Sequence, residues 1–118
     1  MNNKDDLVFI KHILESIEAI GEFSKGMDRK ELASSRLKQS AIVREIEIVG
    51  EAVKNVSMGL KNKNKDVEWK AIAGTRDKMI HHYFGVDLDI IFFIAKKEIP
   101  VLKKQMLRIE KSLENSKN

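Results

Sequence analysis

The sequence predicts an all-α protein, an antiparallel bundle of four to five helices. Pro occurs once and Gly six times in 118 residues, so few residues interrupt regular structure. Apolar residues recur at steps of three and four along segments rich in Lys, Glu, Ile and Leu. A chain of this length supports one modest core. Residues 1–118 are therefore expected to form a single helical domain.

Composition and charge exclude several classes of protein. The absence of cysteine excludes disulfides and thiolate metal sites. No window reaches eighteen apolar residues, and acidic residues near the N-terminus do not fit a signal peptide, so a cytoplasmic protein without membrane contact is expected. The net charge of +4 permits an anionic partner without requiring one. The lysines of KNKNK (61–65) are typical of a solvated surface.

The first two predicted helices cover the N-terminal half of the chain. The first runs from about Asp5 to Ser24, and its inner stripe is Leu7, Ile10, Leu14, Ile17 and Ile20, with Phe9 and Ile13 beside it. The second runs from about Asp28 to Ser57, and a bend is considered near residues 34–35. Gly50 lies inside its apolar pattern, where glycine disfavours helix, so we expect another helix to approach closely there.

Two further helices follow a polar linker, GLKNKNKD (59–66). The third runs from about Val67 to Tyr83, and Gly85 is expected to stop it. Asp87 caps the fourth, which Pro100 kinks or breaks. The fourth helix carries the seam Leu88, Phe92, Ala95, Ile99, Leu102, Met106, Ile109 and Leu113, and a second apolar set, Ile90, Phe93, Ile94, Val101 and Leu107. Two apolar sides indicate a subunit interface, hence a homodimer; residues 114–118 are expected to fray.

Scarce polar residues gather in GTRDKMIHHYFGVD (74–87). On helical spacing, Arg76 falls within the apolar stripe of the third helix, where a guanidinium must be paired or meet an anion. Asp77 precedes His81 by four residues, so a carboxylate–imidazole hydrogen bond is expected. Tyr83 lies two turns beyond Arg76 on the same face. Each residue also has a structural interpretation: Arg76 as an ion-pair partner of Glu47 or Glu51, and Tyr83 as an ordinary core residue.

Neither a metal nor a cofactor is expected. His81 and His82 are adjacent and diverge, and no H-E-x-x-H or glycine-rich phosphate loop is present. An arginine with a histidine is, however, the minimal set for metal-free phosphodiester transfer in RNA. The histidine moves the proton of the 2′-hydroxyl, and the arginine stabilises charge on the phosphate.

RDKMIHHY contains the motif R-x4-H-x-Y in Arg76, His81 and Tyr83, and the chain resembles the HepT toxin branch of the HEPN superfamily. The resemblance covers most of the chain beyond about residue 35, including AIVREIEIVGEAVKNVS (41–57), VEWKAIAGTRDKMIHHYFGVDLDIIF (67–92) and KKEIPVLKKQM (96–106). It implies an all-α homodimer whose motif helices face one another, and a metal-independent endoribonuclease toxin with Arg76 and His81 catalytic.

The resemblance also implies a regulatory partner. This would be a small MntA-like nucleotidyltransferase antitoxin that silences the toxin by adding AMP to Tyr83. The family often has Asn after the motif arginine, where this chain has Asp77; we expect that carboxylate to support His81 in its acid role. Two alternatives remain open: a non-catalytic helical partner of a nucleotidyltransferase, and a structural dimer in which the motif has no function.

Overall fold

The computed structural model describes residues 3–81 and 85–116, and the side chains in that range other than those of residues 3, 4, 80 and 81. Its helices are α1 (Asn3–Ser24), α2 (Arg29–Ser34), α3 (Arg36–Asn55), α4 (Met58–Lys63), α5 (Trp69–Ala73), α6 (Thr75–Met79), α7 (Leu88–Phe93) and α8 (Ile99–Asn115). A π-helical turn, Ile94–Glu98, joins α7 to α8. The predicted all-α class is confirmed, with the addition of a short antiparallel pair, β1 (Ile80–His81) and β2 (Gly85–Val86).

Three long helical rods form the bundle, and α1 packs against both α3 and α8. Lys11 forms ion pairs with Glu110 and Glu114, while Glu18 pairs with Lys103 further along. The chain numbers increase along α1 as they decrease along α8, so these helices are antiparallel. No helix in the described ranges is long and apolar enough to cross a membrane.

The buried faces follow the predicted periodicity closely. The interior of α1 consists of Leu7, Ile10, Ile13, Ile17 and Ile20, so Ile13 occupies the stripe where Leu14, which is half-buried, was expected. Most of the predicted α7–α8 seam is buried, namely Ala95, Ile99, Leu102, Met106, Ile109 and Leu113. Spacings of three and four residues therefore identify the core of the long helices.

The predicted second helix and the linker after it differ in detail from the structure. The helix is two helices, because Ser35 ends α2 and its side chain accepts the Lys38 N–H at 3.1 Å to cap α3. The predicted linker, 59–66, contains most of the short helix α4, which Ser57 caps by accepting the Leu60 N–H at 3.2 Å. Burial of the Leu60 side chain holds α4 against the bundle.

The predicted third helix, about Val67 to Tyr83, is wrong in the middle and at its C-terminal end. It begins at Trp69, is interrupted at Gly74 and ends at Met79. Glycine disfavours helix, and the Thr75 hydroxyl donates to the Ala71 carbonyl at 2.9 Å in competition with the backbone. Beyond Met79 the chain pairs with β2 instead of continuing as helix.

The helix stop predicted at Gly85 and the helix interruption predicted at Pro100 have different outcomes in the structure. Gly85 does not end a helix; it lies in β2 with φ of +82°, a conformation that favours glycine. The irregularity expected at Pro100 is confirmed as the π-helical turn that precedes it. Proline has no N–H to donate to the carbonyl of residue 96, so the regular ladder is interrupted there.

Candidate functional site

Close packing of α5 on α3 positions the motif. A Cβ atom placed on Gly50 would lie 3.3 Å from the Ile72 carbonyl oxygen and 3.6 Å from that of Ala73. The expected reason for this glycine, close approach of another helix, is thereby confirmed. Because α5 leads directly into α6, the same contact brings α6 beside α3.

Arg76 on α6 is held by a carboxylate of α3. Its Nε donates to Oε2 of Glu47 at 2.5 Å. The side chains are 64% and 34% exposed, so the guanidinium lies at the surface and not within an apolar stripe. The structural interpretation of Arg76, an ion pair with Glu47, is confirmed. Arginine has four further N–H donors, on Nη1 and Nη2, that are suited to a phosphate.

The rest of the motif follows at once in the chain. His81 is the last residue of β1, and its backbone pairs with Gly85. Its side chain and the whole of Tyr83 lie outside the described residues. The hydrogen bond expected between Asp77 and His81 assumed a helix through both, whereas α6 ends at Met79. That contact remains a prediction, but helical spacing no longer supports it.

Backbone hydrogen bonds fix the two ends of the β1–β2 segment. The Asp87 N–H donates to the Met79 carbonyl at 2.6 Å, across the base of the strand pair. The Asp87 side chain then caps α7 by accepting the Ile90 N–H at 3.1 Å. Met79 is completely buried. The motif histidine is therefore carried by a segment that is anchored to the core at both ends.

Sequence reasoning missed a second arginine beside this segment. A cavity of about 240 Å³ lies between α3 and β2, lined by Arg36, Gln39, Ser40, Val43, Gly85 and Val86. Arg36, Ser40, Val43 and Glu47 recur at steps of four, three and four, which places them on one face of α3. That spacing, followed back from Glu47, is the signal that could have identified Arg36.

An apolar cavity of about 270 Å³ opens beside the motif. Ile72 and Thr75, just before Arg76, form one wall, and Phe93 and Val101 contribute to another. Phe93 is 55% and Val101 57% exposed, so both present apolar surface to solvent. Within the described ranges, no group of three or more His, Cys, Asp or Glu side chains is arranged to hold a metal ion.

Comparison with known proteins identifies the family. The family description "Ribonuclease HepT-like" matches residues 13–109. A Methanocaldococcus jannaschii protein, whose name joins a gamma-glutamylcyclotransferase with a provisional RNase, is 43% identical over 115 residues. The match covers 98% of this chain but only 52% of that protein.

Two further relatives match along most of their length. A provisional RNase of Caldanaerobacter subterraneus is 44% identical over 86% of this chain and 90% of its own. A Thermococcus cleftensis protein, provisionally named ribonuclease HepT, is 35% identical over 87% of this chain and 94% of its own. No solved structure matches the chain significantly. The family match and these relatives together show that the chain belongs to the HepT-like ribonuclease family.

Proposed function

We propose that this chain is a metal-independent endoribonuclease that acts as the toxin of a toxin–antitoxin pair. The observation that carries the proposal is the presentation of Arg76: it is exposed, held through Nε by Glu47, and located directly before the anchored strand that carries His81. Membership of a ribonuclease family makes RNA the substrate class that this arrangement suits.

The proposed reaction uses the nucleophile of the substrate. A ribose 2′-hydroxyl attacks the adjacent phosphorus, the bond from phosphorus to the 5′-oxygen breaks, and a 2′,3′-cyclic phosphate and a 5′-hydroxyl form. His81 moves the proton that leaves the 2′-oxygen and the one that the 5′-oxygen gains. Arg76 stabilises the negative charge that develops on the non-bridging oxygens. Asp77 is proposed to support His81, at whatever geometry β1 allows.

A homodimer would complete the site. Phe93 and Val101 expose apolar side chains beside the cavity that begins at Ile72 and Thr75. Contiguous apolar surface of this kind is typical of protein interfaces. Burying it against a second copy would bring two copies of Arg76 near one another and raise the positive potential that attracts RNA.

The proposed partner is an MntA-like nucleotidyltransferase antitoxin acting on Tyr83. The phenolic oxygen would attack the α-phosphorus of ATP, pyrophosphate would leave, and the phenolic proton would be released. The added AMP carries a negative charge two residues from His81. Repulsion of the RNA phosphate and occlusion of the site would both silence the enzyme.

The test is an RNA-cleavage assay with unmodified protein. Purified protein, whose intact mass excludes AMP on Tyr83, is incubated with mixed cellular RNA in EDTA beside His81→Ala and Arg76→Ala. We expect only the wild type to produce 2′,3′-cyclic phosphate ends. Absence of cleavage by unmodified wild-type protein would contradict the proposal and favour a non-catalytic partner of a nucleotidyltransferase.

A further inference from the structure

A basic groove lies along α5, the helix that precedes α6 with its Arg76. It has a volume of about 590 Å³ and is bordered by Lys54, Lys61, Lys65 and Lys70. We call it the lysine groove. The four lysines come from the end of α3, from α4, from the connection after α4, and from α5. Folding therefore gathers into one depression cations that are separated in the sequence.

The charge of the groove is positive and largely uncompensated. Glu68 is the one carboxylate among its described lining residues, so four lysines against one glutamate give +3. Lys61, Lys65 and Lys70 form no ion pair with any residue in 3–81 or 85–116, and Lys54 only approaches Glu51 at 3.7 Å. Cations held around a concave surface raise the local concentration of anions more than isolated surface lysines do.

The groove also presents apolar surface between its charges. Met58 is 67% exposed and lies among the lysines. Val67 and Trp69 are buried and form the floor, and the Trp69 indole N–H donates to the Asn64 carbonyl at 2.9 Å. Cationic edges with an apolar contact surface match single-stranded nucleic acid, which offers phosphates on one side and base faces on the other.

The position of the groove connects it to the motif. Lys70 and Ala73 line it, and Arg76 follows three residues after Ala73. Three residues span at most about 11 Å. The Cα atom of Arg76 therefore lies within about 11 Å of the edge of the groove at Ala73, a distance that a few nucleotides of single-stranded RNA can span.

We propose that the lysine groove binds the single-stranded RNA that flanks the cleaved phosphodiester. This inference rests on the proposed ribonuclease function and adds to it the path of the substrate. An acidic protein surface would also satisfy the charge. RNA is favoured because the groove combines its lysines with exposed apolar surface and leads to the arginine of a ribonuclease motif.

The experiment measures RNA binding separately from cleavage. In full-length protein carrying His81→Ala, a fluorescein-labelled single-stranded RNA of about 20 nucleotides is titrated by anisotropy in EDTA over a range of salt concentrations. The test variant is Lys61→Gln/Lys65→Gln/Lys70→Gln. The control, Lys30→Gln/Lys104→Gln/Lys111→Gln, removes the same charge from exposed lysines outside the groove. Circular dichroism and light scattering establish that fold and assembly are unchanged.

We expect the test variant to lose roughly tenfold or more in affinity and its salt slope to fall by about 2, whereas the control stays near the parent. An equal loss of RNA affinity in the test and control variants would contradict the proposal that the lysine groove binds RNA. RNA affinity retained by the test variant would also contradict it. If the test variant keeps RNA binding but loses binding to polyglutamate, the lysine groove binds an acidic protein surface instead of RNA.

The cleavage assay keeps the two proposals apart. Cleavage by wild-type protein together with undiminished RNA binding by the test variant refutes the groove alone. If the test variant loses RNA binding but wild-type protein does not cleave RNA, the proposed ribonuclease activity is refuted. The lysine groove then remains an RNA-binding surface. Failure of the parent protein to bind RNA at all refutes the groove.

Discussion

Glu47 determines how Arg76 can meet a phosphate. The carboxylate engages Nε, and the side chain of Arg76 is 64% exposed, so the pair fixes orientation more than it stabilises the fold. We expect Glu47→Gln to change the free energy of unfolding by less than about 1 kcal/mol. The same change should lower the rate of RNA cleavage by roughly tenfold to a hundredfold, because a neutral amide holds the guanidinium less firmly than a carboxylate does.

Single-turnover cleavage by Glu47→Gln, beside chemical denaturation, checks this prediction. Arg76→Ala and the double variant provide the control, since Glu47→Gln should add little once the arginine is absent. Wild-type cleavage by Glu47→Gln would show that the ion pair has only a structural role.

Gly50 and Gly21 offer a matched pair of substitutions. Both lie within long helices, but a Cβ atom on Gly21 meets no atom within 4 Å, whereas one on Gly50 lies 3.3 Å from a backbone oxygen of α5. Gly21→Ala should raise the free energy of unfolding by about 1 kcal/mol through helix propensity. Gly50→Ala should not raise the free energy of unfolding, because the new methyl group would press on the Ile72 carbonyl oxygen, a backbone atom that cannot rotate away. Equal stabilisation of both, measured by urea denaturation, would contradict the inferred close packing.

At the scale of elements, a buried carboxylate joins α1 to α4. Asp6 is 3% exposed and accepts hydrogen bonds from the Ser57 N–H at 2.9 Å and from the Ser57 hydroxyl at 2.6 Å. We expect Asp6→Ala to cost about 2 kcal/mol of stability, since it leaves buried donors without an acceptor. Glu15→Ala is the control, because Glu15 is an exposed carboxylate on the same helix. Equal thermal stability of the two variants would refute the role of Asp6.

An ion pair connects the segment after α4 to α8. Arg108 donates to both carboxylate oxygens of Asp66, at 2.8 and 3.0 Å, and this guanidinium lowers the pKa of Asp66 below its usual 3.8. The contribution to stability is therefore complete above pH 3.8 and is lost as the pH falls through the lower pKa of the folded state. A carboxyl ¹³C NMR titration should show the lowered pKa of Asp66, and Arg108→Gln should raise that pKa toward the ordinary value.

The long helices and the cap at Asp87 could be predicted from the sequence, whereas the end of the third helix could not. In α1, α3 and α8 the apolar spacing agrees with the burial, and Asp87 caps α7 as expected. Residues 67–83 also have helical spacing, but pairing of Ile80 with Val86 determines where helix gives way to strand. That pairing is a tertiary preference, which local periodicity does not contain.

The same distinction applies to the candidate site. Glu47 and Glu51 were both expected as possible partners for Arg76, and the structure pairs Arg76 with Glu47 while Glu51 approaches Lys54. The lysine groove could not be predicted from the sequence, since its four lysines belong to separate elements. KNKNK (61–65) reads as a solvated run until the fold places Lys61 and Lys65 opposite Lys54 and Lys70.

At the scale of the whole molecule, the apolar surface beside the motif predicts assembly. We expect Phe93→Glu to convert the proposed dimer into a monomer and to abolish cleavage, because a charge would have to be buried at the interface. Val8→Glu is the control, since Val8 is 47% exposed on α1 and does not line this cavity. Light scattering gives the mass of each variant. A Phe93→Glu protein that keeps the wild-type mass would place the interface elsewhere.

The π-helical turn Ile94–Glu98 changes the direction in which side chains of α8 point relative to those of α7. In an uninterrupted α-helix, Phe93 and Val101 would point about 80° apart. One residue looped out by a π turn reduces that difference to about 20°, in agreement with their sharing one cavity. The turn thus absorbs one extra residue, which in a regular helix would rotate α8 relative to α7 by about 100°. Deleting a single residue there would leave a regular helix in which the two side chains are seven positions and still about 20° apart, so loss of the turn together with its extra residue would preserve this surface.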